Sequence, residues 1–213
     1  MLLRDLFENS SSEKRLIVVY GGRFQPFHKG HYHAYRFLCK KFGKGNVWIA
    51  TSNKTNFDKK ADDVSPFTFK EKVEIITGLH DIPPEHIVQC KNPTFKPVEV
   101  FKEYKGYKLV YVAAVGAKNR SRYADSHFYE PLPEDTTAEN ISDLLTLNEK
   151  KGYYISVPMG SEDISGTMVR EKLLELSKHE RDADEFKRYF KEKLGKFDKV
   201  LAELIMARLK EVK

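Results

Sequence analysis

Residues 15 to 20, RLIVVY, form an apolar, β-branched run of strand length that stops at Gly21-Gly22. A strand that is apolar on both faces belongs inside a covered sheet, and a glycine pair at its end marks a tight turn. After the loop GRFQPFHKG comes HYHAYRFLCKKFG, where Ala34, Phe37, Leu38 and Phe42 recur at helical spacing and Gly43 supplies a stop. Strand, glycine-bearing loop and helix in that order are the opening half of a βαβ unit.

The same alternation continues along the chain. VWIAT at 47–51 reads as a second strand, and SPFTFKEKVEIITGL as a helix with Ser65 at its cap and Pro66 in its first turn. HIVQC at 86–90 is a weaker strand and KPVEVFKEY a short helix. KLVYVAAVG at 108–116 is the most apolar strand and is expected at the centre, while YYISVP at 153–158 is the last. SGTMVREKLLELSK then forms a helix capped by Ser165. This pattern predicts an α/β fold, a doubly wound parallel sheet of about five strands. The stretch from about 121 to 152 has two prolines and little periodicity, and reads as a surface excursion. Beyond Arg181, Phe186, Tyr189, Phe190 and Leu194, then Phe197, Leu201, Leu204, Ile205 and Leu209, describe two amphipathic helices broken near Gly195. The expected organisation is a main domain over 1–180 and a helical extension over 181–213.

Composition narrows the class. No apolar run approaches the roughly 20 residues that span a bilayer, and the start MLLRDLFENSSSEKR lacks a secretory pattern, so a cytoplasmic protein with no membrane partner is expected. Cys39 and Cys90 lie in no CxxC or Cys/His cluster, which points to reduced thiols rather than a disulfide or a metal site. The net charge of +6 suits an anionic substrate.

The segment GRFQPFHKGH, 22–31, lies between the first strand and helix, and in an open parallel sheet ligands sit beyond the carboxyl ends of the strands. His28 and His31 would stand at a helix N-terminus, which already offers unpaired N–H groups and partial positive charge to anions. Gly30 permits close approach, and Arg23 adds a forked cation. The second segment, ISGTMVR at 164–170, places Ser165 and Thr167 at another helix start with Arg170 close behind.

Both segments resemble signatures of the HxGH nucleotidylyltransferase superfamily, closest to the archaeal-type nicotinamide mononucleotide adenylyltransferases. The resemblance implies a Rossmann-like catalytic domain over 1–180. It also implies transfer of AMP from ATP to a phosphate-bearing acceptor, favouring nicotinamide mononucleotide to give NAD, with release of pyrophosphate. His28, His31 and Arg170 would be catalytic. Gly22, Arg23, Phe24, Gly30, Ile164, Ser165 and Thr167 would bind ATP. Mg²⁺ would bridge the phosphates without a dedicated protein site. SPFTFKEK is similar to the family's NPFTxxER, with Lys72 where arginine is usual. Val64 stands where a phosphate-binding arginine occurs, with Lys54, Lys59 and Lys60 as substitutes. In VGAKNRSRY, the cations Lys118, Arg120 and Arg122 would bind the acceptor's phosphate, or the loop is simply a solvated basic surface.

Two rivals stand beside this reading. A cytidylyltransferase would carry GTFDxxHxGH and a GISTT-type segment instead. A nucleic-acid-binding protein on a retired enzyme fold would use the basic loop and tail. Nucleic acid is not the expected partner, and a homo-oligomer is left open.

Overall fold

The computed structural model describes residues 13–53, 65–147, 152–158, 164–178 and 182–211. The chain divides into two compact units: Met1–Gly22, Ala34–Thr51 and Val88–Pro158 form one, and Arg23–His33, Ser52–Ile87 and Met159–Lys213 the other. Lys54, Lys59, Lys60 and Val64 lie outside the described residues.

The first unit carries the sheet. Its strands are β1 (Lys14–Gly21), β2 (Val47–Thr51), β3 (Ile87–Gln89), β4 (Lys108–Gly116), β5 (Tyr129–Pro131) and β6 (Gly152–Val157), in the order β3-β2-β1-β4-β6-β5. The pairings of β1 with β2 and β4, and of β6 with β4 and β5, are all parallel. Winding runs outward from β1 through β2 to β3, then resumes on the other side of β1 with β4, the reversal that defines a doubly wound sheet. Leu16 to Tyr20 and Leu109 to Val115 are buried without a break, as two-sided cover requires. On one face Ile17, Val19, Tyr111 and Ala113 cluster with Val100 and Phe101 of α3 (Val98–Lys102) and with Tyr123, Tyr129 and Tyr154.

Helix α1 (Lys29–Phe42) buries Ala34, Leu38 and Phe42. Phe37, expected on that stripe, is instead 36% exposed. Gly43 ends α1 with φ 79°, its N–H bonded to the Cys39 carbonyl at 2.9 Å. At the end of β1 the backbones come so close that a Cβ on Gly21 would sit 1.9 Å from the Pro93 carbonyl oxygen. Cys39 and Cys90 are free. The stretch read as an excursion is partly structural. It contains α4 (Arg120–Ala124) and β5, and it buries Tyr123, Tyr129, Leu132 and Leu144, giving a sixth strand where about five were expected.

The second unit is helical at its core: α2 (Phe69–His80), α5 (Gly166–Leu176), α6 (Ala183–Lys193) and α7 (Lys199–Glu211). Phe67, Ile75 and Leu79 meet Val169 and Leu173, Phe190 and Leu194, and Ala202, Ile205 and Leu209 in one apolar cluster. The break between α6 and α7 falls at Gly195, whose φ of 141° few side-chain-bearing residues adopt. The cap of α2 corrects the sequence expectation. Thr68, not Ser65, is the N-cap: its hydroxyl accepts the Glu71 N–H at 3.3 Å while the Glu71 carboxylate accepts the Thr68 N–H at 2.8 Å. The Ser65 hydroxyl donates to the Phe67 carbonyl. Glu71 also accepts from Arg208 Nε of α7 at 2.7 Å, with both side chains partly buried.

Candidate active site

Gly22 leaves β1 with its N–H bonded to the Ala50 carbonyl at 3.0 Å. The loop that follows belongs to the second unit, and its conformation is held by aromatic rings. Phe24 is buried with φ 46°, a left-handed conformation that costs a non-glycine residue about 1 kcal/mol or more and is found where a site over-determines the backbone. Its ring lies 5.1 Å from Phe27 and meets His31 edge-on at 5.0 Å. The Tyr32 N–H donates to the His28 carbonyl at 3.0 Å in the first turn of α1. Gly30 is buried in that turn, and His33 is exposed.

His28 and His31 are stacked, with centroids 3.7 Å apart and planes 28° from parallel. The His28 backbone N–H donates to His31 Nδ1 at 3.2 Å, so neutral His31 carries its proton on Nε2. Burial lowers His28 to about 4. It also holds His31 well below the usual imidazole range, with the nearby His28 and His80 adding to the effect. At neutral pH the pair therefore offers uncharged hydrogen-bond donors, and charging both rings at this separation is opposed by their repulsion.

A third imidazole, which no sequence motif contained, joins them. His80, the last residue of α2, stacks on Tyr32 (4.6 Å, 24°) and meets Phe27 edge-on at 5.2 Å. Burial lowers it to about 3, helped by His28 and Lys29 and opposed by Asp81. The one available signal was a histidine closing the apolar face of Ile76 and Leu79.

Lys72, which stands where the resembling segment carries arginine, is 1% exposed; its Nζ donates to the Ser52 carbonyl at 2.9 Å. Burial, and secondarily the Arg23 charge, lowers it to about 8. Arg23 itself is exposed.

The second segment meets the first. Ser165 caps α5, its hydroxyl accepting the Met168 N–H at 3.2 Å, as the sequence predicted. Ile164 is partly buried against the helical core. Arg170 Nη1 donates to the Gln25 carbonyl at 2.8 Å and Nη2 to Thr167 Oγ1 at 3.2 Å. Gly166 fits beneath this link, where a Cβ would stand 3.2 Å from the same Gln25 oxygen. Phe24, His28, His31 and Arg170 with Thr167 are thus brought together through one loop.

In the first unit, Arg120 and Arg122 are exposed on α4, and the Lys118 side chain lies outside the described residues. A small cleft there is lined by Thr94, Phe95, Asn119, Arg122 and Tyr123. Arg120 is not among its lining residues.

Residues 22–31 and 164–170 contain no carboxylate, and among the described residues no group of three or more His, Cys, Asp or Glu could hold a metal ion. Imidazole, guanidinium, hydroxyl and backbone N–H donors suit phosphate oxygens. They offer no dedicated cage to a hard cation. No helix among the described residues is long and apolar enough to cross a membrane.

Comparison with known proteins places this geometry in context. Among solved structures the chain is similar to a candidate nicotinate-nucleotide adenylyltransferase from Vibrio parahaemolyticus, at 13% identity and TM-score 0.49, with 90% of this chain and 99% of that one covered. It is also similar to the nicotinic acid mononucleotide adenylyltransferase of Plasmodium falciparum, at 17% identity and TM-score 0.48, covering 92% and 95%. A bifunctional NMN adenylyltransferase/ADP ribose pyrophosphatase from Francisella tularensis matches at 16% identity and TM-score 0.42, and the chain spans about half of it, 52%. No curated protein matches the sequence. The Cytidylyltransferase-like family matches residues 19–172, well over half of the chain and inclusive of residues 22–31 and 164–170, so the chain belongs to the Cytidylyltransferase-like family.

Proposed function

We propose that the protein is an adenylyltransferase that transfers AMP from ATP to a phosphate-bearing acceptor, with nicotinamide mononucleotide as the favoured acceptor and NAD and pyrophosphate as products. The observation that carries this reading is the hydrogen bond from Arg170 to the Gln25 carbonyl, which joins the two motif segments beside a stacked histidine pair in which His31 has a defined tautomer. The catalytic part would span 1–180 with 181–213 as its helical extension, and two free thiols suit a reducing compartment such as the cytoplasm.

An acceptor phosphate oxygen would attack the α-phosphorus, with the bond to the bridging oxygen breaking and pyrophosphate leaving. No covalent enzyme intermediate is needed, so the protein's task is positioning and charge stabilisation. His31 Nε2–H would donate to the α-phosphoryl oxygens, while His28, Arg23 and Arg170 would neutralise the departing pyrophosphate. Gly22, Phe24, Gly30, Ile164, Ser165 and Thr167 would shape the nucleotide site. Mg²⁺ would arrive with the triphosphate and neutralise its oxygens. Lys118, Arg120 and Arg122 are the proposed acceptor-binding cations. Arg122 has the added support of lining a small cleft together with Thr94 and Asn119.

The family's description names a cytidylyl donor, so CTP is the second reading. Arg23 and Gln25, which resemble the adenylyl branch, favour ATP. Pyrophosphate release measured with each nucleoside triphosphate against nicotinamide and nicotinate mononucleotides, phosphopantetheine, riboflavin phosphate and sugar phosphates tests both. ATP should exceed CTP by at least about tenfold in kcat/KM, roughly 1.4 kcal/mol. Equal or better use of CTP would overturn the adenylyl assignment, and failure of nicotinamide mononucleotide where another acceptor reacts would overturn the acceptor.

A further inference from the structure

The stretch read from the sequence as an excursion supplies one hydrogen bond that reaches well outside it. The hydroxyl of Tyr129, the first residue of β5, donates to the Phe95 carbonyl in the loop between β3 and α3, 34 positions away. Burial pushes the Tyr129 phenol up to about 12, so the group stays a donor at any working pH. The Phe95 ring meets Tyr129 edge-on at 5.3 Å and lies tilted on Tyr123 at 5.7 Å.

The loop that Tyr129 holds is otherwise closed on itself. Asn92 Oδ1 accepts the Phe95 N–H, the Asn92 carbonyl accepts the Lys96 N–H, and Glu99 Oε1 accepts the Lys91 N–H, each at 3.2 Å. At Pro93 the loop crosses the end of β1, where only a glycine at 21 leaves room. Thr94, between that crossing and the Tyr129 bond, lines the small cleft with Gly21, Asn119 and Arg122. Its place is therefore set from two sides, by the fit of Pro93 on Gly21 and by the phenol on Phe95. The cleft stands at the carboxyl ends of β1 and β4, where the winding of the sheet reverses and open α/β sheets receive ligands. A threonine hydroxyl, an asparagine amide and a guanidinium are donors suited to an anionic oxygen group.

Ring packing does not need the Tyr129 hydroxyl. Phenylalanine at 129 would keep both ring contacts and lose the bond, releasing the Phe95 carbonyl and with it the backbone beside Thr94. The difference between the two residues falls on the wall of the cleft.

We infer that Tyr129 is a positioning residue for the acceptor: by holding the Phe95 carbonyl it keeps Thr94 in the cleft wall, where the Thr94 hydroxyl and the Arg122 guanidinium share the acceptor's anionic group. The inference rests on the reading of Arg122 as an acceptor-binding cation. Tyr129 touches no substrate itself, and its effect falls on the KM for the acceptor rather than on ATP or the chemical step.

The full-length chain carrying Tyr129→Phe tests it, assayed with ATP and the acceptor that reacts best. The acceptor's KM should rise about fivefold or more, the worth of one hydrogen bond, with kcat and the KM for ATP within about twofold. Tyr111→Phe controls for disturbance of the core. It removes a hydroxyl from the same buried cluster, 6.0 Å ring to ring from Tyr129, and leaves the Phe95 bond in place. Its acceptor KM should stay within about twofold even where its melting temperature falls. A folded Tyr129→Phe protein with parental acceptor KM overturns the inference, and so does an equal rise in Tyr111→Phe. Thr94→Ala should also raise the acceptor's KM, and Tyr129→Phe added to it should change little more, because the positioned hydroxyl is gone. Additive effects overturn the inference. If Tyr129→Phe does not fold, Thr94→Ala decides, and a parental acceptor KM there overturns it. Arg122→Ala separates the two readings: an unchanged acceptor KM removes the cleft from acceptor binding and the inference with it. A raised KM in Arg122→Ala beside parental kinetics in Tyr129→Phe overturns the inference alone. Should the parent transfer nucleotide to no acceptor, the transfer reading fails by itself, and equilibrium binding of nicotinamide mononucleotide decides the role of Tyr129. Weaker binding to Tyr129→Phe than to the parent and Tyr111→Phe supports it, and equal or absent binding overturns it.

Discussion

The backbone N–H of His28 donates to Nδ1 of His31 at 3.2 Å, so the main chain of one histidine selects the tautomer of the other. Nδ1 of His31 is used as an acceptor, which leaves its proton on Nε2, directed away from the bonded edge of the ring. A neutral donor of fixed direction stabilises developing charge without having to reorganise.

His31→Ala should lower kcat by about 10²- to 10³-fold with a comparatively small change in the KM for ATP, as expected for loss of one donor that binds the transition state better than the ground state. His28→Ala should alter both quantities. Thermal melting must accompany the kinetics because both rings pack in the aromatic cluster. A folded His31→Ala enzyme with near-parental kcat would remove His31 from the mechanism.

Stability should fall on acidification, and the sign follows from the direction of the histidine shifts. His28 sits at about 4 and His80 at about 3 in the folded chain, both below the ordinary value of 6.5. The unfolded chain therefore binds more protons between those values, and the stabilisation, complete above about pH 6.5, is lost as pH falls toward 4 at about 1.4 kcal/mol per pH unit per histidine. Urea unfolding from pH 7.5 to 4.5 reads this. The His80→Phe protein should give a shallower curve than its parent, and parallel curves would contradict the assignment for His80.

For the basic loop, Arg122→Ala should raise the acceptor's KM more than that of ATP, by about tenfold for loss of one charged hydrogen bond in a partly solvated cleft. Arg120→Ala is expected to shift the acceptor KM in the same direction and by less, because Arg120 does not line the cleft. Acceptor kinetics unchanged in both would return the loop to a solvated basic surface.

The last two helices should be indispensable to the folded chain. Phe190, Leu194 and Ile205 are fully buried among residues of α2 and α5. Ile205→Ala should cost about 2–5 kcal/mol, read as a shift in the urea midpoint. Removal of residues after 180 should give an insoluble product, and a truncated protein of parental solubility and melting temperature would show that α2 and α5 need no such cover.

The parallel sheet was legible because each major strand is a short apolar run bounded by turn residues, and the paired runs around β1 and β4 are buried on both faces. β5 was not legible: three residues including a proline carry no periodicity, and that strand exists because β6 is there to pair with it. Ser165 was recognisable as a cap from its place before an apolar helix. Thr68 was missed because Ser65-Pro66 offered an equally good local signal, and the choice lay with the Glu71 carboxylate returning to the Thr68 N–H. At the site, His28 and His31 announced themselves by spacing within a single loop. His80 could not, since its neighbours there are Phe27 and Tyr32, and only the folded chain makes them adjacent.

The link between Arg170 and residue 25 ends on a main-chain oxygen, across 145 residues of sequence. Whatever side chain stands at 25 presents the same carbonyl, so mutation at that position leaves the acceptor atom in place. Drift can therefore break this connection chemically from one end alone. Read by folding stability rather than by donor choice, a saturation library at 25 should tolerate varied side chains while one at 170 collapses to arginine, an asymmetry between two positions joined by one bond.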